Sequence, residues 1–151
     1  MRQSWKNKLL LVFIIGLCLG CAIEPKPINY GHDACHYCSM TIVDRHFASQ
    51  LVTDKGKVYN YDATECMLYD LQDRSHDSIG LLLVTDYTTP ETLIEAQHAT
   101  FLISEDYPSP MGANLSAFKD PSNIESLKLT SSATQYHWAD LQLLFDDKPG
   151  H

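Results

Sequence analysis

The stretch Phe47-Ala-Ser-Gln-Leu-Val-Thr-Asp-Lys-Gly-Lys-Val-Tyr-Asn-Tyr-Asp-Ala-Thr-Glu-Cys-Met-Leu-Tyr-Asp70 contains a complete folding unit. Phe47 to Thr53 is rich in apolar and β-branched residues, which predicts a strand. Asp54-Lys-Gly-Lys57 is a turn, and Val58-Tyr-Asn-Tyr61 alternates like the returning strand of a hairpin. Asp62 then predicts a helix cap, with Glu65 three places later in the capping-box position. Cys66, Met67, Tyr69 and Asp70 fall in that helix. Strand, strand, helix is too small to bury its own face, so a second layer must come from elsewhere in the chain.

Working outward, Met40 to Val43 predicts a further strand before the hairpin. Ile79 to Thr85 is a near-continuous apolar run, the pattern of a buried strand. Leu93-Ile94, Thr100 to Ile103 and Asn114 to Phe118 predict three more, and Tyr107-Pro-Ser-Pro-Met-Gly112 is loop by composition. Thr134 to Phe145 carries apolar residues at helical spacing, which predicts a C-terminal helix packed on a sheet. Asp62-Ala-Thr-Glu65 resembles Ser132-Ala-Thr-Gln135, and Met40 and Met111 lie at similar distances upstream. The expected architecture is α+β: two similar small ββα-type units packed together, over residues 34–90 and 91–147.

A different segment precedes them. Arg2, Lys6 and Lys8 are followed by eleven apolar residues from Leu9 to Leu19, which is the length of a signal-peptide core and too short to span a bilayer. The run ends Leu17-Cys-Leu-Gly-Cys21, which resembles a bacterial lipobox and marks residues 1–20 as a signal peptide with Cys21 as the lipidated residue. Residues 21–33, including Glu24-Pro-Lys-Pro-Ile-Asn-Tyr30, then read as a stiff lipidated tether. The expected location is a bacterial membrane facing the periplasm. Ala22 is not the Asp that retains some lipoproteins at the inner membrane, which favours the outer one.

Charge narrows the function classes. The 151 residues hold 11 Lys+Arg against 19 Asp+Glu, a net charge of −8. Without the three cations of the leader the balance is 8 against 19, or −11. A chain this acidic is a poor partner for phosphate backbones, so nucleic-acid binding is excluded.

His32-Asp-Ala-Cys-His-Tyr-Cys-Ser-Met40 packs two thiols, a thioether and two imidazoles into nine residues. With Cys21 lipidated, Cys35, Cys38 and Cys66 remain, an odd number that disulfides cannot fully pair. Soft thiolate and thioether donors together favour Cu(I). Cys38 and Met40 stand two apart, so on an extended chain both sulfurs face one ion while Ser39 points away. Met111 on its Pro-bracketed loop is placed to close such a site from the second unit. Other readings stay open: a Cys35–Cys38 or Cys35–Cys66 bridge in a stapled lipoprotein, a thiol–disulfide oxidoreductase using Cys35 and Cys38, structural zinc on Cys35, Cys38, Cys66 and a His, and methionines serving only as core filler.

Cys35-x-Tyr37-Cys38-x-Met40-x-Ile42-x-Asp44, then Phe47-Ala48-x-Gln50, Asp62-x-x-x-Cys66-Met67, and Pro110-Met111-Gly112 with Ala117-Phe118, together resemble the NosL family. That family comprises lipoprotein accessory factors of nitrous oxide reductase that bind Cu(I). The resemblance runs from Cys35 to about Phe145 and includes the lipobox. It implies a non-enzymatic carrier that delivers Cu(I) outside the cytoplasm for the copper–sulfide centre. It also implies nitrous oxide reductase and the Nos ABC-transporter complex as partners. Carried over, Cys38 and Met40 match the family's Cys-Gly-Met ligand pair, Met111 matches its Pro-Met-Gly methionine, and Cys66 matches a Cys common in the family. Ser39 stands where Gly is usual, which restricts the backbone there.

Overall fold

A computed structural model describes residues 23–74 and 78–146. The expected signal peptide and lipidated Cys21 lie outside the described residues.

The hairpin forms where the sequence places it. Strand β1 (Ser49–Thr53) pairs antiparallel with β2 (Val58–Tyr61) across the Asp54–Lys57 turn. Helix α1 (Thr64–Gln72) follows, then β3 (Ile79–Thr85) on the other side of β1, and β4 (Leu93–Glu95) beside β3. The first sheet therefore has the order β2-β1-β3-β4. It takes in Leu93–Glu95, beyond the expected unit boundary at residue 90.

After a 3-10 turn at Ala96–His98, β5 (Thr100–Ser104) pairs with β6 (Leu115–Phe118). A one-turn helix α2 (Ser122–Glu125) leads to β7 (Ala133–Tyr136) on the opposite edge of β5, giving the order β6-β5-β7. Helix α3 (Trp138–Leu144) closes the chain. Both sheets share a strand, strand, helix, strand core in which the first strand lies between the other two, and the first sheet adds β4 at its edge. The fold is α+β with two similar units.

Four local expectations give way to tertiary structure. The predicted strand Met40–Val43 reduces to a bridge between Ala34 and Thr41 that closes the Cys35–Met40 turn. The helix expected from Thr134 begins only at Trp138, because Ala133–Tyr136 pairs with the open edge of β5. As a result Ala63-Thr64 sits at a helix start and Ala133-Thr134 in a strand, so that pair of stretches is not structurally equivalent. The Asp62/Glu65 capping box is also absent: the N-cap is Ala63 with no side-chain cap, and both acids turn inward.

The fourth concerns the tether. The Lys26 amide donates to Gln50 Oε1 at 3.0 Å, and the Gln50 amide donates back to the Lys26 carbonyl at 2.8 Å. Ile28 and Tyr30 pack against the core. Gly80 leaves room for this segment: a Cβ there would lie 2.7 Å from Ile23 Cγ2. The segment covers the outer face of the sheet, which is why all five residues of β1 are buried. Residues that can bury apolar surface and exchange two hydrogen bonds dock instead of remaining extended in water.

One main core joins the two sheets. Leu51, Tyr61, Cys66, Met67, Val84, Phe101, Leu115, Ala117, Trp138 and Leu141 belong to it. Strand β5 alternates: Phe101 faces this core, and Leu102 faces a smaller cluster with Phe118 and Ile124 under α2. A bridge from Asp86 to Ala117, with the Tyr87 amide donating to the Ala117 carbonyl at 2.8 Å, stitches the sheets together.

Candidate metal centre

The Cys35–Met40 turn is held from both sides. The Cys35 amide donates to the Met40 carbonyl at 2.7 Å, the Ser39 amide to the Cys35 carbonyl at 3.0 Å, and the His36 amide to the Asn60 carbonyl of β2 at 2.8 Å. The His36 ring lies 4.4 Å from Tyr59, and Tyr37 lies 5.7 Å from Tyr69 of α1. This aromatic packing seats the turn over the start of α1, where Cys66 occupies the third helical position.

The sulfurs of Cys35, Cys38 and Cys66 therefore all lie within 4.8 Å of one another. Cys35 and Cys66 are buried and Cys38 is half-buried, and all three are free thiols. Three sulfurs bound to one ion at about 2.3 Å stand roughly 4 Å apart. A disulfide requires closure to about 2.05 Å. The three thiols form no bridge and stand close enough together to share one ion.

The thiols share their protons unequally. The Cys66 thiol donates to the Cys35 sulfur, and the backbone amides of Cys38 and Asp62 and the Cys38 thiol add to this against the opposing effect of burial. Together they lower Cys35 to about 5, which favours its thiolate form over that of its two neighbours. Cys66 is pushed far up because it is the donor in that bond and is buried beside the Cys35 charge. Burial raises Cys38, and the Met40 amide partly offsets this. Three thiols this close, one of them with a lowered pKa, could hold a soft cation.

Met40 and Met111 stand on separate loops and are 52% and 37% exposed, so neither is core filler, whereas Met67 is wholly buried. The strand argument for Cys38 and Met40 does not hold. Ser39 has φ 63°, in the left-handed region, so the chain turns between them instead of running extended. Gly adopts that region without strain, whereas Ser does not. Relief of left-handed strain of about 1–2 kcal/mol, less the added freedom of Gly in the unfolded chain, leaves a net gain. Ser39→Gly is expected to raise stability by about 0.5–1 kcal/mol in denaturant unfolding, with an unchanged midpoint contradicting the strain argument.

Two buried acids that the sequence places in a capping box flank the triad. Asp62 is 2% exposed, and its pKa is raised by burial and by the Cys35 thiolate. Glu65 is fully buried, its pKa is raised by burial, and its Oε1 accepts a hydrogen bond from Ser109. The one available signal was their position beside Cys66.

The fold and the thiol triad define a class: a small α+β domain with a soft-metal seat where a turn meets a helix start. The NosL family model matches residues 27–142, and the chain belongs to the NosL family. Its fold is similar to the crystal structure of the copper chaperone NosL from Shewanella denitrificans. The TM-score is 0.67 at 21% identity, over 79% of this chain and 96% of that one. No curated protein matches the sequence.

Proposed function

We propose that this protein is a copper chaperone that carries Cu(I) outside the cytoplasm and hands it on, with no catalytic step of its own. The observation that carries this reading is the gathering of the Cys35, Cys38 and Cys66 sulfurs within 4.8 Å of one another. Cu(I) is the cargo. The thiols hold it, and the exposed Met40 and Met111 thioethers add neutral soft donors at the rim. Cys38, the most accessible of the thiols, is where an acceptor's sulfur enters as the first bond loosens.

Family membership extends the reading to delivery for the copper–sulfide centre of nitrous oxide reductase, with that enzyme and the Nos ABC-transporter complex as partners. The sequence motif at Cys21 supports a lipid anchor on the periplasmic side, with the outer membrane favoured. The test is anaerobic titration of the mature protein with Cu(I) against a chromophoric Cu(I) chelator, beside a parallel zinc titration. Expected is one Cu(I) per chain, held in preference to zinc. Preferential zinc binding would establish a structural zinc site instead. A Cys35–Cys38 couple that turns over a dithiol substrate and survives Met40→Leu and Met111→Leu would establish an oxidoreductase.

A further inference from the structure

A single buried side chain holds the loop that carries Met111. Glu65 is the second residue of α1 and is fully buried. Its Oε1 accepts a hydrogen bond from the Ser109 hydroxyl, and the backbone amide of Ala113 also acts on the carboxyl. Its Oε2 has no hydrogen-bond partner among the described residues. Ser109 is itself buried and takes the Leu115 amide on its Oγ at 3.4 Å. Its carbonyl accepts the Gly112 amide at 3.0 Å, and Gly112 turns the chain at φ 82°. Met111 thus sits at the crown of a turn whose first residue, Ser109, is tied to the residue before Cys66.

For the helix alone, a buried carboxyl is a poor choice, since desolvation disfavours its charge and one oxygen is left unpaired. The arrangement does serve a reach of 44 residues along the chain to a loop with an exposed thioether. We propose that Glu65 is a positioning residue that fixes the Met111 loop against the end of α1 bearing Cys66, so that the Met111 sulfur is presented to copper held by the thiols. The inference rests on the Cu(I) reading above. Its consequence is selectivity: a neutral thioether adds little to zinc bound by thiolates and much to Cu(I). A freed loop loses that preference while the thiol seat remains.

The mature protein and its variants are compared anaerobically, with Cu(I) affinity read by chelator competition and zinc affinity measured alongside. Ser109→Ala, Glu65→Ala and Met111→Leu are each expected to weaken Cu(I) binding by about 10–100-fold, the range for loss of a group that orients a ligand. Zinc affinity stays unchanged. Glu65→Gln keeps an acceptor for Ser109 and restores most of the loss, and Ser109→Ala adds nothing in a Met111→Leu background. Methyl-labelled methionine NMR of the metal-free protein supplies a copper-independent readout: the Met111 methyl signal shifts and sharpens in Ser109→Ala while that of buried Met67 stays in place. Wild-type Cu(I) affinity in Ser109→Ala, or losses that multiply with Met111→Leu, overturn the proposal. If the wild-type protein binds no Cu(I), the copper reading falls and the inference with it. An unmoved Met111 signal in Ser109→Ala removes the anchor itself, and folding of each variant is checked by circular dichroism.

Discussion

Cys38→Ser is expected to abolish stoichiometric Cu(I) binding, with a loss on the order of a hundredfold or more in chelator competition. Structural metal sites with four ligands supply about 10–16 kcal/mol, or roughly 2.5–4 kcal/mol per ligand, and each 1.4 kcal/mol is a factor of ten. Serine cannot replace a thiolate for a soft ion. Because Cys38 is half-buried on a surface turn, the substitution leaves the core intact. Thermal unfolding of the metal-free variant should therefore match the wild type. Removal of Cys66 would confuse the two effects, since its side chain is fully buried among core residues. Unchanged affinity in Cys38→Ser would take that thiol out of the site and leave a two-thiol seat on Cys35 and Cys66.

Phe101→Ala is expected to cost about 3–5 kcal/mol, the range for truncating a buried aromatic residue. Phe101 is fully buried in the middle strand of the second sheet, 5.8 Å from the ring of Trp138, and belongs to the same core as Cys66. Folded domains hold only about 5–15 kcal/mol in total, so the variant loses a large share of its stability. Scanned by circular dichroism, its midpoint should drop by roughly 10–20 °C. A shift of a few degrees would mean that the two sheets do not share one core. Saturating Cu(I) should recover part of the loss, because a ligand that binds only the folded state stabilises it by mass action.

Local pattern reads well where neighbours in sequence are also neighbours in space. The hairpin from Ser49 to Tyr61 and the strand Ile79–Thr85 appear as expected because turn chemistry and apolar runs act within a few residues. Thr134–Tyr136 failed for the opposite reason. Its apolar positions continue the period of the following helix, but β5 offers a free edge whose backbone groups must be paired, and that edge wins. Glu65 failed likewise. Its place in a capping box is a local signal, whereas its actual partner, Ser109, lies 44 residues away.

The same division runs through the site. Sequence by itself supplied the candidate soft donors, thiols at Cys35, Cys38 and Cys66 and thioethers at Met40 and Met111, and the acidic charge balance. It also determined the α+β class, because period and turn residues are local properties. Tertiary structure alone decided that Cys66 joins Cys35 and Cys38 and that Ser39 breaks the strand alignment of Cys38 and Met40. It alone decided that the expected tether lies docked on Gln50. Those outcomes follow from burial and hydrogen-bond pairing between distant segments, a competition that no window of neighbouring residues contains.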